Sequence, residues 1–182
     1  MRIISGKYGG RRISPPVQMP HTRPTTDRAR EGLFNILQSA VLLEGARTLD
    51  LFGGTGCISY ELASRGAVSL AVVEKDAKQA AFIQQTAEAL QIADLHVYRK
   101  DVFSYIAGCR ERFDFIFAGP PYKLKSLDSL PGLIFEHHLL QPGGWFVLEH
   151  TAEHDFGNLP FFSRKRNYGS TIFSIFIHSS AS

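Results

Sequence analysis

The run Thr48-Leu49-Asp50-Leu51-Phe52-Gly53-Gly54-Thr55-Gly56-Cys57-Ile58 constrains this chain more than any other stretch. It opens apolar and β-like, breaks into three glycines around Thr55, and resumes with helical spacing from Ile58 to Arg65. That is the outline of a strand, a tight turn and a helix start. Glycine suits such a turn because side chains disfavour its backbone angles and a ligand must come close to the main chain. The free N–H groups of the helix start then face that ligand.

What the turn lacks narrows the ligand. The dinucleotide pattern G-x-G-x-x-G is not met, because Ser59 stands where the third glycine would be, and no Gly-Lys-Ser/Thr follows to make a phosphate loop. Asp50 lies four positions ahead of Gly54-Thr55-Gly56. A carboxylate there suits a ligand with a cationic or hydroxyl-bearing end better than a pyrophosphate. S-adenosylmethionine, with ammonium and sulfonium charges, fits. An ordinary strand-to-helix turn is the alternative.

From Arg47 onward, apolar strand-like runs alternate with helical ones. The strand candidates are Thr48–Phe52, Leu70–Glu74, Leu95–Arg99, Phe113–Ala118 and Trp145–Glu149. Helical spacing covers Ile58–Arg65, Ala77–Leu90, Val102–Cys109 and Leu127–Leu140. This pattern predicts an α/β fold, a doubly wound Rossmann-like parallel sheet covered on both faces. Two further strand-like runs, Phe161–Asn167 and Thr171–His178, are joined by Tyr168-Gly169-Ser170 and predict a C-terminal antiparallel hairpin on one sheet edge.

Ahead of the sheet, residues 1 to 13 read as a small β-hairpin or extended arm around Gly6 to Gly10, and Pro15, Pro16, Pro20 and Pro24 keep the next segment extended. Thr25-Thr26-Asp27 can cap a helix starting near Arg28, with Leu33, Phe34, Ile36 and Leu37 as its apolar face. Residues 1–40 are thus expected to form an appendage and 41–182 the main domain.

Charge sets the appendage apart. Up to residue 30 there are seven basic residues (Arg2, Lys7, Arg11, Arg12, Arg23, Arg28, Arg30) against one acid, Asp27; this leaves +6 there, so the remainder carries −3 of the chain's net +3. A cationic arm on a slightly acidic body points to a polyanion, most often nucleic acid. Two cysteines, Cys57 and Cys109, are too few for a disulfide framework. No apolar run reaches the roughly 18 residues of a membrane span, and no signal-peptide pattern opens the chain, which points to a cytoplasmic protein. The histidines His21, His96, His137, His138, His150, His154 and His178 lack metal-ligand spacing and read as surface or structural residues.

In a doubly wound sheet the ligand sits beyond the C-terminal strand ends. The first gives Asp50 and the glycine turn. The second ends in Glu74-Lys75-Asp76, about 20 residues past the turn, where a carboxylate can accept from ribose hydroxyls. The third ends in Asp101-Val102, an acid that could accept from an adenine amine. The fourth ends Ala118-Gly119-Pro120-Pro121-Tyr122, where two prolines fix the backbone carbonyls and a tyrosine ring offers a flat base a stacking partner.

Taken together, Asp50-Leu51-Phe52-x-Gly-x-Gly, Glu74, Asp101 and Pro-Pro-Tyr resemble the motifs of amino-directed S-adenosylmethionine methyltransferases. The segment Arg23-Pro24-Thr25-Thr26-Asp27-Arg28-x-Arg30-Glu31-x-Leu33-Phe34-Asn35-Ile36-Leu37, with the opening Arg2-Ile3-Ile4-Ser5-Gly6 and the run Leu62 to Ala67, narrows the resemblance to the bacterial small-subunit (16S) ribosomal-RNA guanine-N2 methyltransferases. The resemblance implies that Asp50, Gly54 and Gly56 hold the methionine part of the cofactor, Glu74 its ribose and Asp101 with Val102 its adenine, with Phe52, Gly53 and Lys75 also binding the cofactor. Gly119, Pro120, Pro121 and Tyr122 would hold a flipped guanine, and Arg2, Lys7, Arg11, Arg12, Arg23, Thr25 and Arg28 the ribosomal RNA or assembling small subunit. No metal is implied, and a monomer is the default for a chain this small.

One position departs from the resemblance. The turn normally reads Asp-Pro-Pro-Tyr, and Gly119 stands where the aspartate would accept from the target amine. Main-chain carbonyls, chiefly of Gly119 or Pro120, are then left to accept. Asp114 lies near the other end of the same strand. A weakly active or inactive RNA- or cofactor-binding member, an amino methyltransferase acting on DNA or protein, and a nucleotide-dependent oxidoreductase remain the competing readings.

Overall fold

A single seven-stranded sheet, in the order β3-β2-β1-β4-β5-β7-β6, organises the protein. The computed structural model describes residues 1–19, 23–41 and 43–179. The strands are β1 (Arg47–Leu51), β2 (Ser69–Val73), β3 (Leu95–Tyr98), β4 (Phe113–Ala118), β5 (Leu140–His150), β6 (Phe162–Tyr168) and β7 (Thr171–Ile177). The first five run parallel, while β7 pairs antiparallel with both β5 and β6. The expected terminal hairpin is therefore in place.

Helices α1 (Asp27–Ala40), α2 (Cys57–Ser64) and α3 (Ala77–Ala89) cover one face, and α4 (Val102–Gly108) and α5 (Leu130–Glu136) the other. Two cores result. Phe115, Phe117, Val147 and Phe173 point towards α1 and α2, while Leu49, Ile116, Phe146 and Phe176 point towards α4 and α5. This is the period-two alternation of a sheet buried on both faces.

Helix α1 begins where its cap predicts: the Thr26 hydroxyl accepts from Ala29 N at 3.2 Å. Its Leu33, Phe34 and Leu37 are fully buried, each worth about 1.5–3 kcal/mol of burial. In the arm, Arg2 and Arg12 form one antiparallel bridge, and Ile3, Tyr8 and Ile13 turn into the α1–α2 core.

Two expectations need correction. The helix expected over Leu127–Leu140 is a short 3-10 turn at Leu127–Ser129 followed by α5, which ends at Glu136. Pro131 suits a helix start, and the left-handed His138 (φ 53°) turns the chain out before β5. Strand β5, expected from Trp145, begins at Leu140. Its register against β4 jumps from Phe113↔Leu140 to Phe115↔Trp145, so Gln141 to Gly144 are looped out where Pro142 has no N–H to give.

His21 and Pro20 lie outside the described residues. Of the other histidines, only His150 is buried. No described helix is long and apolar enough to cross a membrane.

Candidate active site

The strand order reverses between β1 and β4, and their C-terminal ends open onto a cavity of about 610 Å³. On the β1 side, the turn is built by backbone bonds from Gly53 N to Val73 O (2.9 Å) and from Gly56 N to Gly53 O (2.8 Å). Phe52 is held left-handed at φ 63°, an uncommon state for an aromatic residue; strain of this kind gathers at functional sites. Glu74 ties the end of β2 to the turn, accepting from Gly54 N at 2.8 Å and Asp76 N at 2.9 Å. Asp101, itself exposed, caps α4 by accepting from Ser104 N at 3.1 Å through one oxygen.

Asp50 lies beneath this turn, buried, with one oxygen accepting from the Ser59 hydroxyl at 2.7 Å. Burial pushes its carboxyl up to about 7; the Ser59 bond opposes the rise and the Glu74 charge adds to it. The site thus holds a buried acid whose charged form a cationic ligand would favour.

The β4 side carries the Gly119-Pro120-Pro121-Tyr122 turn. The Tyr122 hydroxyl donates to Glu149 Oε1 at 2.9 Å, and the Arg23 guanidinium covers the Tyr122 ring at 4.0 Å from its centroid. Thr25 donates to the other Glu149 oxygen at 2.6 Å. Glu149, at the end of β5, is itself buried; burial raises its pKa, and the bonds from Thr25 and Tyr122 with the nearby Arg23 charge oppose that rise.

The structure brings most of the expected residues to one place. Asp50, Phe52, Gly53, Gly54, Glu74, Lys75, Asp101 and Val102 border the cavity together with Gly119, Pro120, Pro121 and Tyr122. Gly56 does not border it and instead shapes the turn from behind. Arg23 and Thr25 also border it, but Arg2, Lys7, Arg11, Arg12 and Arg28 stay on the exposed surface, with Lys7 and Arg11 both over the Tyr8 ring. Arg30, counted above with the cationic arm, is buried, and donates to Arg2 O at 2.8 Å and to Asp27 at 3.0 Å. A charge count carries no direction, and α1 turns this side chain inward.

Glu149 was missed. The reading of strand ends that found Asp50, Glu74 and Asp101 would have found it at the end of the fifth strand. Asp114 accepts from Arg47 N at 2.9 Å, at the opposite end of the sheet from the cavity, as expected.

A parallel sheet closed by a reversed hairpin, with acids and a glycine turn at its strand ends, defines the Rossmann-like class of S-adenosylmethionine-dependent methyltransferases. The yhhF protein of Escherichia coli has this fold at a TM-score of 0.86, 25% identical, with 100% of this chain and 99% of that one covered. An RNA methyltransferase of Salinibacter ruber, solved with S-adenosyl-L-homocysteine, shares the fold at a TM-score of 0.67 and 17% identity, over 87% of this chain and 95% of that one. The chain belongs to the family described as Conserved hypothetical protein 95, whose model matches residues 1–177. YlbH of Bacillus subtilis is 35% identical over 184 residues, covering 97% of this chain and 98% of its own. Ribosomal RNA small subunit methyltransferase D of Escherichia coli is 29% identical over 160 residues, 88% of this chain and 79% of its own. The resemblance read from the sequence is borne out at the level of the family.

Proposed function

We propose that this chain transfers a methyl group from S-adenosylmethionine to the exocyclic N2 amine of a guanine in small-subunit ribosomal RNA. One observation carries the reading: the acid-lined glycine turn and the Pro-Pro-Tyr turn face each other across one cavity. The names of the relatives support ribosomal RNA as the acceptor.

The residues fit the cofactor. Asp50 is a buried acid with no cationic partner among the described residues, suited to the ligand's positive end. Glu74 keeps lone pairs beyond the two N–H groups it accepts, enough for a ribose hydroxyl. Asp101 and Val102 border the far end of the same bed, suited to the adenine. When bound, the cofactor supplies an electrophilic methyl on a sulfonium. The protein's part is positioning. Pro120 and Pro121 fix the turn, and the Tyr122 ring, stiffened by Glu149 and Arg23, receives a base that has left its stack. The exposed cations of the arm suit RNA phosphates.

The test is transfer of labelled methyl from S-adenosylmethionine to small-subunit RNA, or particles lacking the modification, followed by digestion to nucleosides. Label in N2-methylguanosine is the expected result. Label elsewhere would overturn the guanine assignment, and none, with cofactor still bound, would favour an inactive binding member.

Asp50 makes cofactor binding pH-dependent. Because its folded-state pKa lies above the unfolded one, its contribution to the free protein's stability is full below about pH 4 and is lost as pH rises through about 7. A bound cation reverses that preference. Affinity for S-adenosylmethionine should therefore climb from pH 5 to 7 by up to about tenfold per unit. Calorimetric titration should find this slope in the wild type and a flat, weaker profile in Asp50→Asn.

A further inference from the structure

Methylating an amine leaves the nitrogen with one proton too many, so the site needs an acceptor aimed at that nitrogen. Gly119 has no side chain to offer. A Cβ placed on Gly119 would lie 3.6 Å from Glu149 Oε2, so this carboxylate oxygen is in van der Waals contact with the start of any side chain at position 119. Of the carboxylates bordering the cavity, Asp50, Glu74, Asp76 and Asp101 belong to the β1–β3 ends, where the cofactor is placed. Glu149 is the one bonded to the Pro-Pro-Tyr turn, through Tyr122.

We propose that Glu149, rather than the main chain of the turn, accepts the hydrogen bond and then the proton of the target amine. This rests on the amine-methylation reading above. Each Glu149 oxygen takes one protein donor, Tyr122 on Oε1 and Thr25 on Oε2, and each keeps a lone pair. The two bonds hold the carboxylate in one orientation. In the step itself, the amine lone pair forms the new N–C bond. The bond between methyl and sulfur breaks with its electron pair going to sulfur, which becomes a neutral thioether. The surplus proton passes from nitrogen to the carboxylate, and from there to solvent on product release. An ionised acceptor drawing on the amine hydrogen localises the nitrogen lone pair before attack and stabilises the positive charge as it grows. The burial that raises the carboxyl's pKa also favours its taking a proton.

Position 119 and Glu149 lie side by side at the ends of neighbouring strands, which sets the test. Glu149→Gln keeps the shape and an acceptor oxygen but cannot take the proton. Its kcat for RNA methylation should fall about a hundredfold. Its affinity for S-adenosylmethionine, read separately by calorimetry, should stay within about threefold of wild type. In a Gly119→Asp/Glu149→Gln double variant, a new carboxylate enters from the other strand. The nearest other atom to its Cβ is the edge of the Phe117 ring at 3.0 Å, which must give slightly. The double variant should regain at least about tenfold in kcat. A Glu149→Gln enzyme that keeps its kcat, or a double variant that regains nothing, would overturn the assignment. Should Glu149→Gln not fold, the wild-type pH profile decides: an acid limb in kcat above the ordinary glutamate range supports it, and a kcat flat to pH 5 overturns it. A wild type that binds cofactor and methylates no RNA would instead sink the amine-methylation reading, a result distinct from a loss confined to the variant.

Discussion

Gly56→Val should lower the melting temperature by about 10 °C and abolish measurable binding of S-adenosylmethionine. Gly56 sits left-handed at φ 83° immediately before α2, a conformation that costs a β-branched residue about 1–2 kcal/mol. A Cβ there would also lie 2.4 Å from Cζ and Oη of Tyr60. That ring is fully buried in the α1–α2 core, so moving it displaces packed neighbours. Overpacking adds about 1–3 kcal/mol, and for a chain of this size each kcal/mol moves the midpoint by about 2–4 °C. Because Gly56 N closes the turn on Gly53 O, relief of the clash must distort the loop that borders the cavity. Thermal unfolding with and without cofactor checks both parts. A stable variant that still binds would mean that the turn tolerates a different backbone path.

Much of this was legible in the sequence because it is written locally. The parallel strands are short apolar runs, and α1 carries its own cap and an apolar stripe at Leu33, Phe34 and Leu37. The glycine turn and the acids at three strand ends needed only the rule that ligands sit beyond those ends. What escaped depends on contacts between distant residues. Nothing near Thr25 reveals that its hydroxyl meets Glu149, 124 positions later. Nothing near Arg30 reveals that its guanidinium folds inward to the carbonyl of Arg2. The start of β5 escaped for a different reason. Leu139 and Leu140 continue the apolar spacing of α5, and only His138 taking a left-handed state separates helix from strand.

The same distinction governs the arm. Its cations suggest a tail that serves only RNA, yet its burial makes it part of the fold, and Gly6→Val should show this most directly. Gly6 lies at φ 85°, and a Cβ on it would come within 1.9 Å of the Ser64 carbonyl oxygen at the end of α2. That neighbour is backbone and cannot rotate aside, so the arm must lift off. Lifting breaks the bonds from Lys7 N to Ser64 O (2.8 Å) and from Tyr8 N to the Ser64 hydroxyl (2.9 Å). It also exposes Ile3, Tyr8 and Ile13, all now buried. A further loss is at Glu61, a fully buried carboxylate that accepts from Ile4 N at 2.8 Å, Ser5 N at 3.1 Å and Arg65 at 2.9 Å. Without the arm it keeps Arg65 alone. Water can replace part of what Glu61 loses, but the three exposed apolar side chains each lose about 1.5–3 kcal/mol, so the variant should melt at least about 10 °C lower. A chain lacking residues 1–13 should fall by a similar amount, because both lose the same contacts. If the arm were a solvated tail, neither change would move the midpoint, and only the salt dependence of RNA binding by the truncated chain would respond, through loss of Arg2, Lys7, Arg11 and Arg12. Measuring both in parallel separates the structural part of the arm from its electrostatic part. The expected outcome is that they fail together, since the residues that dock the arm on α2 alternate with those that carry its charge.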